Sequence, residues 1–247
     1  MECIVSAGHW HAGMKEMTAL MTVLDSSISL VDFLRRHHYF KHLPTDRLEQ
    51  LADRALCQTF SAGEIIFLEG SPSVGLWIIG EGRVKIFKLS SSGSEHILHL
   101  LGPGDSFNDI AALDGGPAPA NAAALSDLTV CVLSHETLIE AIQHDPLLAT
   151  TIIQVLARRS RTLVQQIEDL ALYPVTTRLA RFLLSQAENP ALSGPGITRA
   201  AIAAHLATQP ETISRALGSL EKAGIIRLDR HRIIIIREDL LRMTAML

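Results

Sequence analysis

The feature that most constrains this chain is a run with no glycine and only one proline. Residues 145–172 read DPLLATTIIQVLARRSRTLVQQIEDLAL, and the single proline sits at the second position. Proline there opens a helix without breaking one. The stretch that follows is long for an ordinary globular helix. Within it Ile153, Leu156, Ser160, Leu163, Ile167 and Leu170 step by 3, 4, 3, 4 and 3 residues. That spacing is the a/d seam through which parallel helices pair. It predicts a dimerisation helix; the alternative is a helix laid against its own domain.

The residues before this helix have a different texture. From Gln58 to about Ser134 short β-rich runs (FSAGEIIFLEG, VGLWIIGEGRVKIFKLSSSG, SEHILHLLGPGDSF, SDLTVCVLS) are cut by glycine and proline. VKIFKL alternates between two faces, and SSSG and GGPAPA read as loop tips. A compact antiparallel sandwich or barrel follows. Ahead of it, residues 14–56 carry helical periodicity, with a helix start at Pro44 or Thr45.

After the long helix, Tyr173-Pro174 forces a stop. VTTRLARFLLSQAENPA is amphipathic and ends at ALSGPG. Thr198 can cap the helix RAAIAAHLA, a turn spans Thr208 and Gln209, and Pro210 opens a further helix, ETISRALGSLEKAG, which Gly224 terminates. In that helix Ile213, Leu217 and Leu220 form the apolar stripe and leave Glu211, Thr212, Ser214, Arg215 and Ser219 outside it. IIRLDRHRIIII then reads as a hairpin with a polar tip, a wing beside the helices.

Two helices, a tight turn and a β wing form a winged helix-turn-helix. Charge supports a DNA partner. The chain carries a net −4, yet up to Pro174 there are 12 Lys+Arg against 20 Asp+Glu, and from Val175 onward 10 against 6. The C-terminal part is therefore basic, as phosphate-backbone binding requires. Glu211, Ser214 and Arg215 fall at i, i+3 and i+4, hence on one face. Arg215 can donate two bonds to guanine, Glu211 can accept from a cytosine amino group, and Ser214 can make a short contact. Thr198, Arg199, Gln209 and Thr212 complete the expected contact set at the two helix starts.

From about Arg36 onward the chain resembles the Crp/Fnr superfamily of transcription regulators. The resemblance rests on the glycines of AGEIIFLEG, IIGEGRVKIF and GPGDSF, on the long helix ending IEDLAL, on VTTRLARFLL, and above all on ETISR. ETISR resembles the E-x-x-S-R motif of the Fnr branch. That implies Glu211, Ser214 and Arg215 reading a palindrome of the TTGAT-N4-ATCAA type. The Crp branch has an arginine immediately before the glutamate, where this chain has Pro210. The implied fold is α+β. Residues 1–35 form an N-terminal extension, helical or disordered, and 36–144 a β-roll sensor domain like a cyclic-nucleotide-binding domain. The dimerisation helix spans 145–172 and the winged helix-turn-helix 173–247. Double-stranded DNA, a second copy of the chain and, for an activator, RNA polymerase are the implied partners.

The resemblance also narrows the effector. Cyclic-nucleotide-binding relatives hold the phosphate with a Gly-Glu pair after the PGD turn and an Arg-Ser pair further on. This chain has Asn108 and Asp109, then Pro119 and Ala120. Leu163 and Val164 stand where the purine would be met, and neither can donate to it. Without a cation the buried phosphate would be uncompensated, so cAMP is not expected. An iron–sulfur cluster needs four thiolates, and only Cys3, Cys57 and Cys131 are present. A dry pocket, a haem or no ligand remains. The likeness of HLATQPETISRALGSLEKAGIIRLD to the nitric-oxide-responsive Dnr branch points to haem, with His37 and His38 as candidate axial ligands. His96 and His99, three apart in a strand, are expected to face opposite sides. Cys3, His9 and His11 lie in the extension, where a disordered terminus is expected.

The cysteines are widely spaced and form no CxxC pair, so spacing indicates neither a disulfide framework nor a zinc site, and a reducing cytoplasm fits. No run reaches the length of a membrane span. There is no phosphate loop, nucleophile–base pair or zinc-hydrolase spacing, so no enzyme is expected. The rival reading is a small-molecule- or haem-binding β-roll whose helix-turn-helix serves protein contacts, or a ligand-independent regulator.

Overall fold

The computed structural model describes residues 29–188, 196–229 and 232–247. Two short helices, α1 (Leu30–Arg36) and α2 (Thr45–Arg54), lead in. Ser29 caps α1 by accepting from the Asp32 backbone N–H at 3.1 Å. Leu34 is fully buried, so α1 belongs to the core and the boundary expected at residue 36 cuts through it. The part of the N-terminal helical pattern before residue 29, with Cys3, His9 and His11, lies outside the described residues.

Eight strands then form two four-stranded antiparallel sheets. One has the order β1 (Leu56–Phe60), β8 (Leu128–Leu133), β3 (Leu76–Glu81), β6 (Ser106–Phe107). The other runs β2 (Ile65–Phe67), β7 (Asn121–Ala124), β4 (Val84–Leu89), β5 (Glu95–Leu101). Their shared interior is aromatic. The Trp77 and Phe107 rings stack at 5.8 Å, Phe67 lies 5.9 Å from Phe107, and Phe60 lies 6.1 Å from Trp77. Ile79, Val84, Ala122, Leu128 and Val130 fill the rest. The expected sandwich is present, with Ser90–Ser94 and residues 115–120 as loop tips.

Helix α3 (Asp109–Asp114) interrupts the roll. After β8, α4 (His135–His144) leads into α5 (Pro146–Leu172). Asp145 caps α5 by accepting from the N–H groups of Leu147 (2.8 Å) and Leu148 (3.2 Å). Its first half packs inward, where Leu148, Ile152 and Val155 join Leu34, Leu48, Leu51, Ile78, Leu133 and Leu138 in one cluster. Its second half keeps one apolar face uncovered, while Gln166 and Asp169 are held against β5 and the helix that follows. The alternative expectation, a helix laid against its own domain, therefore describes the first half of this helix. Ile153, Leu163, Ile167 and Leu170 of the seam are exposed, Ile167 at 67%. Leu156 is the exception, being half-buried against the chain's own cluster.

The C-terminal part comprises α6 (Val175–Glu188), α7 (Arg199–His205), α8 (Pro210–Lys222), the hairpin β9 (Ile226–Asp229) and β10 (Arg232–Ile235), and a closing helix, α9 (Glu238–Ala245). α9 was not anticipated; its Leu241 and Ala245 are fully buried against the preceding helices. This core continues without a break into Phe87, Ile97 and Leu100 of the roll.

Two expectations are corrected. Cys57 and Cys131 are directly opposed across β1 and β8 and form a disulfide. Spacing concealed it because 74 residues separate two positions that antiparallel pairing makes neighbours. His96 and His99 face the same side. The β4–β5 register shifts between Ile86 and Phe87, leaving Leu98 without a partner, and the histidines pair with Lys88 and Ile86, two positions apart on β4. An extra residue in one strand inverts the alternation beyond it.

Gly82, in the turn between β3 and β4, has a φ of +83°, and a Cβ there would lie 2.1 Å from the Asp127 carbonyl oxygen. Backbone strain and overlap with main chain act together. Gly82→Ala should lower stability by roughly 2 kcal/mol or more, read as a shift of the urea midpoint.

Candidate nucleic-acid interface and effector region

The reading surface is built on α7 and α8. Thr198 caps α7, its hydroxyl oxygen accepting from the Ala201 N–H at 3.1 Å. The chain turns through Ala207, whose φ of +47° is left-handed, and the Thr208 N–H donates to the Ala203 carbonyl at 2.9 Å. Arg178 of α6 donates to the Leu206 carbonyl at 2.6 Å and so satisfies the end of α7. Pro210 then opens α8 at its first position, with Gln209 as the cap residue. Ile213, Ala216, Leu217 and Leu220 are buried. Packing of that stripe turns Glu211, Ser214 and Arg215 outward, and all three are exposed.

The remaining residues expected at the interface lie at the caps and first turns of the same two helices. Thr198, Arg199 and Gln209 are exposed at the starts of the two helices, and Thr212 is half-buried. The Thr212 hydroxyl accepts from Arg215 Nη2 at 3.5 Å, a loose contact that leaves the guanidinium its other donors. Gly224 adopts a φ of +69° just after α8. The wing is fastened to α8 by the Leu228 N–H donating to Glu221 Oε1 at 2.8 Å. An exposed row of polar side chains on the first turns of a helix held by its opposite face can enter a major groove.

The second region lies where the roll meets α5. Asp109 is only 4% exposed. Its Oδ1 accepts from Tyr39 Oη (2.6 Å) and Ser106 Oγ (3.1 Å), and its Oδ2 is ion-paired with Arg159. Arg159 also donates to the Ser106 carbonyl at 2.8 Å. Asn108, at a φ of +64°, donates from Nδ2 to Ser73 Oγ (3.1 Å) and to the Gly75 carbonyl (3.0 Å). Pro119 is exposed and Ala120 buried. The segment itself supplies no cation, as expected. Arg159 arrives from the long helix, and sequence reasoning missed it. A signal existed, because Arg159 continues the inward stripe of Ile152 and Val155 at a spacing of four.

His37 and His38 lie beside this cluster, their rings 4.2 Å apart. His37 is 1% exposed, and Nε2 of both rings is buried without a hydrogen-bond partner. Burial, then His38 and Arg159, hold His37 well below its ordinary value of 6.5. Burial and Arg159 bring His38 to about 4, and burial, Arg159 and His205 bring His99 to about 4. Burial also raises Tyr39 and Asp105.

A haem does not fit His37. Its Nδ1 accepts the Tyr39 backbone N–H at 3.3 Å, so in the neutral ring Nε2 carries the proton and has no lone pair for iron. His38 keeps a ring nitrogen that is closed off from solvent. The described cavities open elsewhere, one of about 180 Å³ between α2 and α4 and one of about 600 Å³ between the β4–β5 tip and the α7–α8 turn. Among the described residues no group of three or more His, Cys, Asp or Glu could hold a metal ion, and no helix is long and apolar enough to cross a membrane.

Residues 57–145 match the family described as cyclic nucleotide-binding domain, and residues 177–244 the Crp-like helix-turn-helix domain. The cyclic AMP receptor protein of Thermus thermophilus is 32% identical over 172 residues, covering 68% of this chain and 78% of that protein. The chain belongs to the Crp/Fnr family of transcription regulators. The CRP-like cAMP-activated global transcriptional regulator of Mycobacterium tuberculosis is 28% identical over 211 residues, 83% of this chain and 94% of that protein. The solved structure of FixK2 from Bradyrhizobium japonicum superposes with a TM-score of 0.70 at 25% identity, covering 77% of this chain and 96% of the other. This Crp/Fnr chain is a DNA-binding regulator and not an enzyme.

The buried imidazoles set an acid limit on the fold. Their folded pKa values lie below the ordinary 6.5, so the unfolded chain takes up protons first as pH falls. Stability should be complete above about pH 6.5 and decline toward pH 4, at about 1.4 kcal/mol per pH unit for a fully buried ring such as His37. Asp105, raised by burial, works in the opposite direction at the acid end. Urea midpoints between pH 7 and 4 test this, and a flat profile would contradict it.

Proposed function

We propose that two copies of the chain pair through the second half of α5 and read a two-fold-symmetric operator of the TTGAT-N4-ATCAA type with their α8 helices. The observation that carries this reading is the outward row of Glu211, Ser214 and Arg215 on the first turns of α8, opposite a fully buried stripe. The apolar surface of Ile153, Leu163, Val164, Ile167 and Leu170 supports pairing, since a row of that kind along one helix is costly to leave in water. A protein with two-fold symmetry calls for a palindrome. Arg215 donates to guanine, Glu211 accepts from a cytosine amino group, and Ser214 makes a short contact.

The regulator does not respond to cAMP, although two of its relatives bear that nucleotide in their names. The carboxylate of Asp109 occupies the segment that would meet the phosphate, and its counter-ion, Arg159, is already paired with it. A second anion there would face a buried negative charge. Leu163 and Val164 offer no donor to a purine, and aromatic rings fill the interior of the roll. Neither an iron–sulfur cluster nor a haem on His37 is part of this reading.

Fluorescence anisotropy with a palindromic duplex tests it. Binding should weaken steeply as salt rises. Arg215→Ala should lose about 10- to 100-fold of the discrimination against a duplex changed at the guanine, while cAMP leaves affinity and melting temperature unchanged. Unaltered discrimination in Arg215→Ala would refute the base-reading role.

A further inference from the structure

Cys57 and Cys131 lie at a mechanical junction. Cys57 stands on β1, three residues after the end of α2, and Cys131 on β8, two residues before that strand gives way to Ser134 and α4. The helices on both sides, α2 and α4 with α5, share one apolar cluster with Leu133 of β8. The bond therefore ties the exit of the N-terminal helices to the entry of the helices that end in the pairing surface. It also closes the whole β-roll into a covalent ring. The two Cα atoms are 4.0 Å apart, closer than the roughly 4.5–5.5 Å of ordinary opposed residues. Two free thiols would let β1 and β8 move apart at this point.

We propose that this pair is a reversible thiol–disulfide switch through which an oxidant sets the DNA affinity of the regulator. The inference rests on the reading of the chain as a DNA-binding protein. Such a protein works beside the chromosome, where thiol reductants are abundant and the disulfides that do form are mostly transient and redox-sensing. The two sulfurs have unequal access. Cys57 is half-buried on an edge strand, whereas Cys131 is 1% exposed on a central strand. A peroxide oxidises Cys57 to a sulfenic acid and leaves as one water. Cys131 Sγ displaces the sulfenic oxygen as a second water, so two thiols and one hydrogen peroxide give one disulfide and two waters. A small thiol such as glutathione reverses the step: its thiolate attacks Cys57 Sγ, Cys131 leaves as thiolate, and a second thiol releases Cys57.

The same conformational coupling links the bond to DNA. Each state of the junction favours its own placement of α5, and the DNA-binding core is continuous with the roll at Phe87, Ile97 and Leu100. The test uses the full chain equilibrated in glutathione buffers of stepped redox ratio, then acid-quenched, unfolded in urea and treated with a maleimide, with intact mass counting the labels. The chain has three cysteines, so the reduced form should take three labels and the bonded form one, on Cys3. Anisotropy on the palindromic duplex is read on the same samples.

The expected result is a two-electron transition accompanied by a change in Kd of about five-fold or more, absent in Cys57→Ser and in Cys131→Ala, each checked for folding by circular dichroism. A bond that persists at every ratio would identify a static crosslink and overturn the proposal. So would a complete transition with the same Kd on both sides. If neither form binds any duplex, the DNA-binding reading fails and the switch with it.

Discussion

The buried pair between Asp109 and Arg159 is the contact on which the arrangement of parts depends. It joins three elements that are remote in sequence: Tyr39 after α1, the β6–α3 corner of the roll, and the long helix. A carboxylate that is 4% exposed is stable only because Tyr39, Ser106 and Arg159 all donate to it. Removing one partner of a buried pair leaves an unpaired charge and costs on the order of 3–5 kcal/mol. The pair thus fixes how α5 lies on the roll, and with it the direction in which the uncovered apolar face of its second half points. Burial keeps His38 and His99 neutral, and the nearby Arg159 charge acts in the same direction.

The DNA-binding part is held to the roll by a second, mainly apolar joint. Ile97 and Leu100 share a core with α6, α7 and α8. At its edge His96 Nδ1 meets the Ala204 carbonyl at 2.9 Å and His205 Nδ1 meets the Ile97 carbonyl at 3.1 Å. The bulge at Leu98 lets Ile97 and Leu100, three residues apart, both join this core. Movement at the base of the roll therefore has a packed route to the reading helix, and no flexible linker intervenes at this contact.

Much of this was legible in the sequence wherever the controlling signal is local. Asp145 and Pro146 opened α5 as their chemistry demands, Thr198 capped α7, Pro210 began α8 and Gly224 followed its end. The outward placement of Glu211, Ser214 and Arg215 followed from the spacing of Ile213, Leu217 and Leu220 alone. What stayed hidden was set by topology. The Cys57–Cys131 bond needed the β1–β8 pairing, and the same-side histidines needed a register shift that no residue type announces. Arg159 was visible as an arginine on an inward stripe, but its partner Asp109 came from the start of α3, 50 residues away. In α9 the acidic first turn at Glu238 and Asp239 and the basic Arg242 in the last carried a dipole signal that was present and unread.

The central claim is that one dimer presents two α8 helices at a fixed separation. It is tested most directly by anisotropy on a pair of duplexes that differ only in five base pairs inserted between the half-sites. That insertion turns one half-site by about half a helical turn, to the opposite face of the DNA. The account predicts that the longer duplex binds no better than a single half-site. Equal affinity for both duplexes would mean that each reading helix binds alone, and would contradict it.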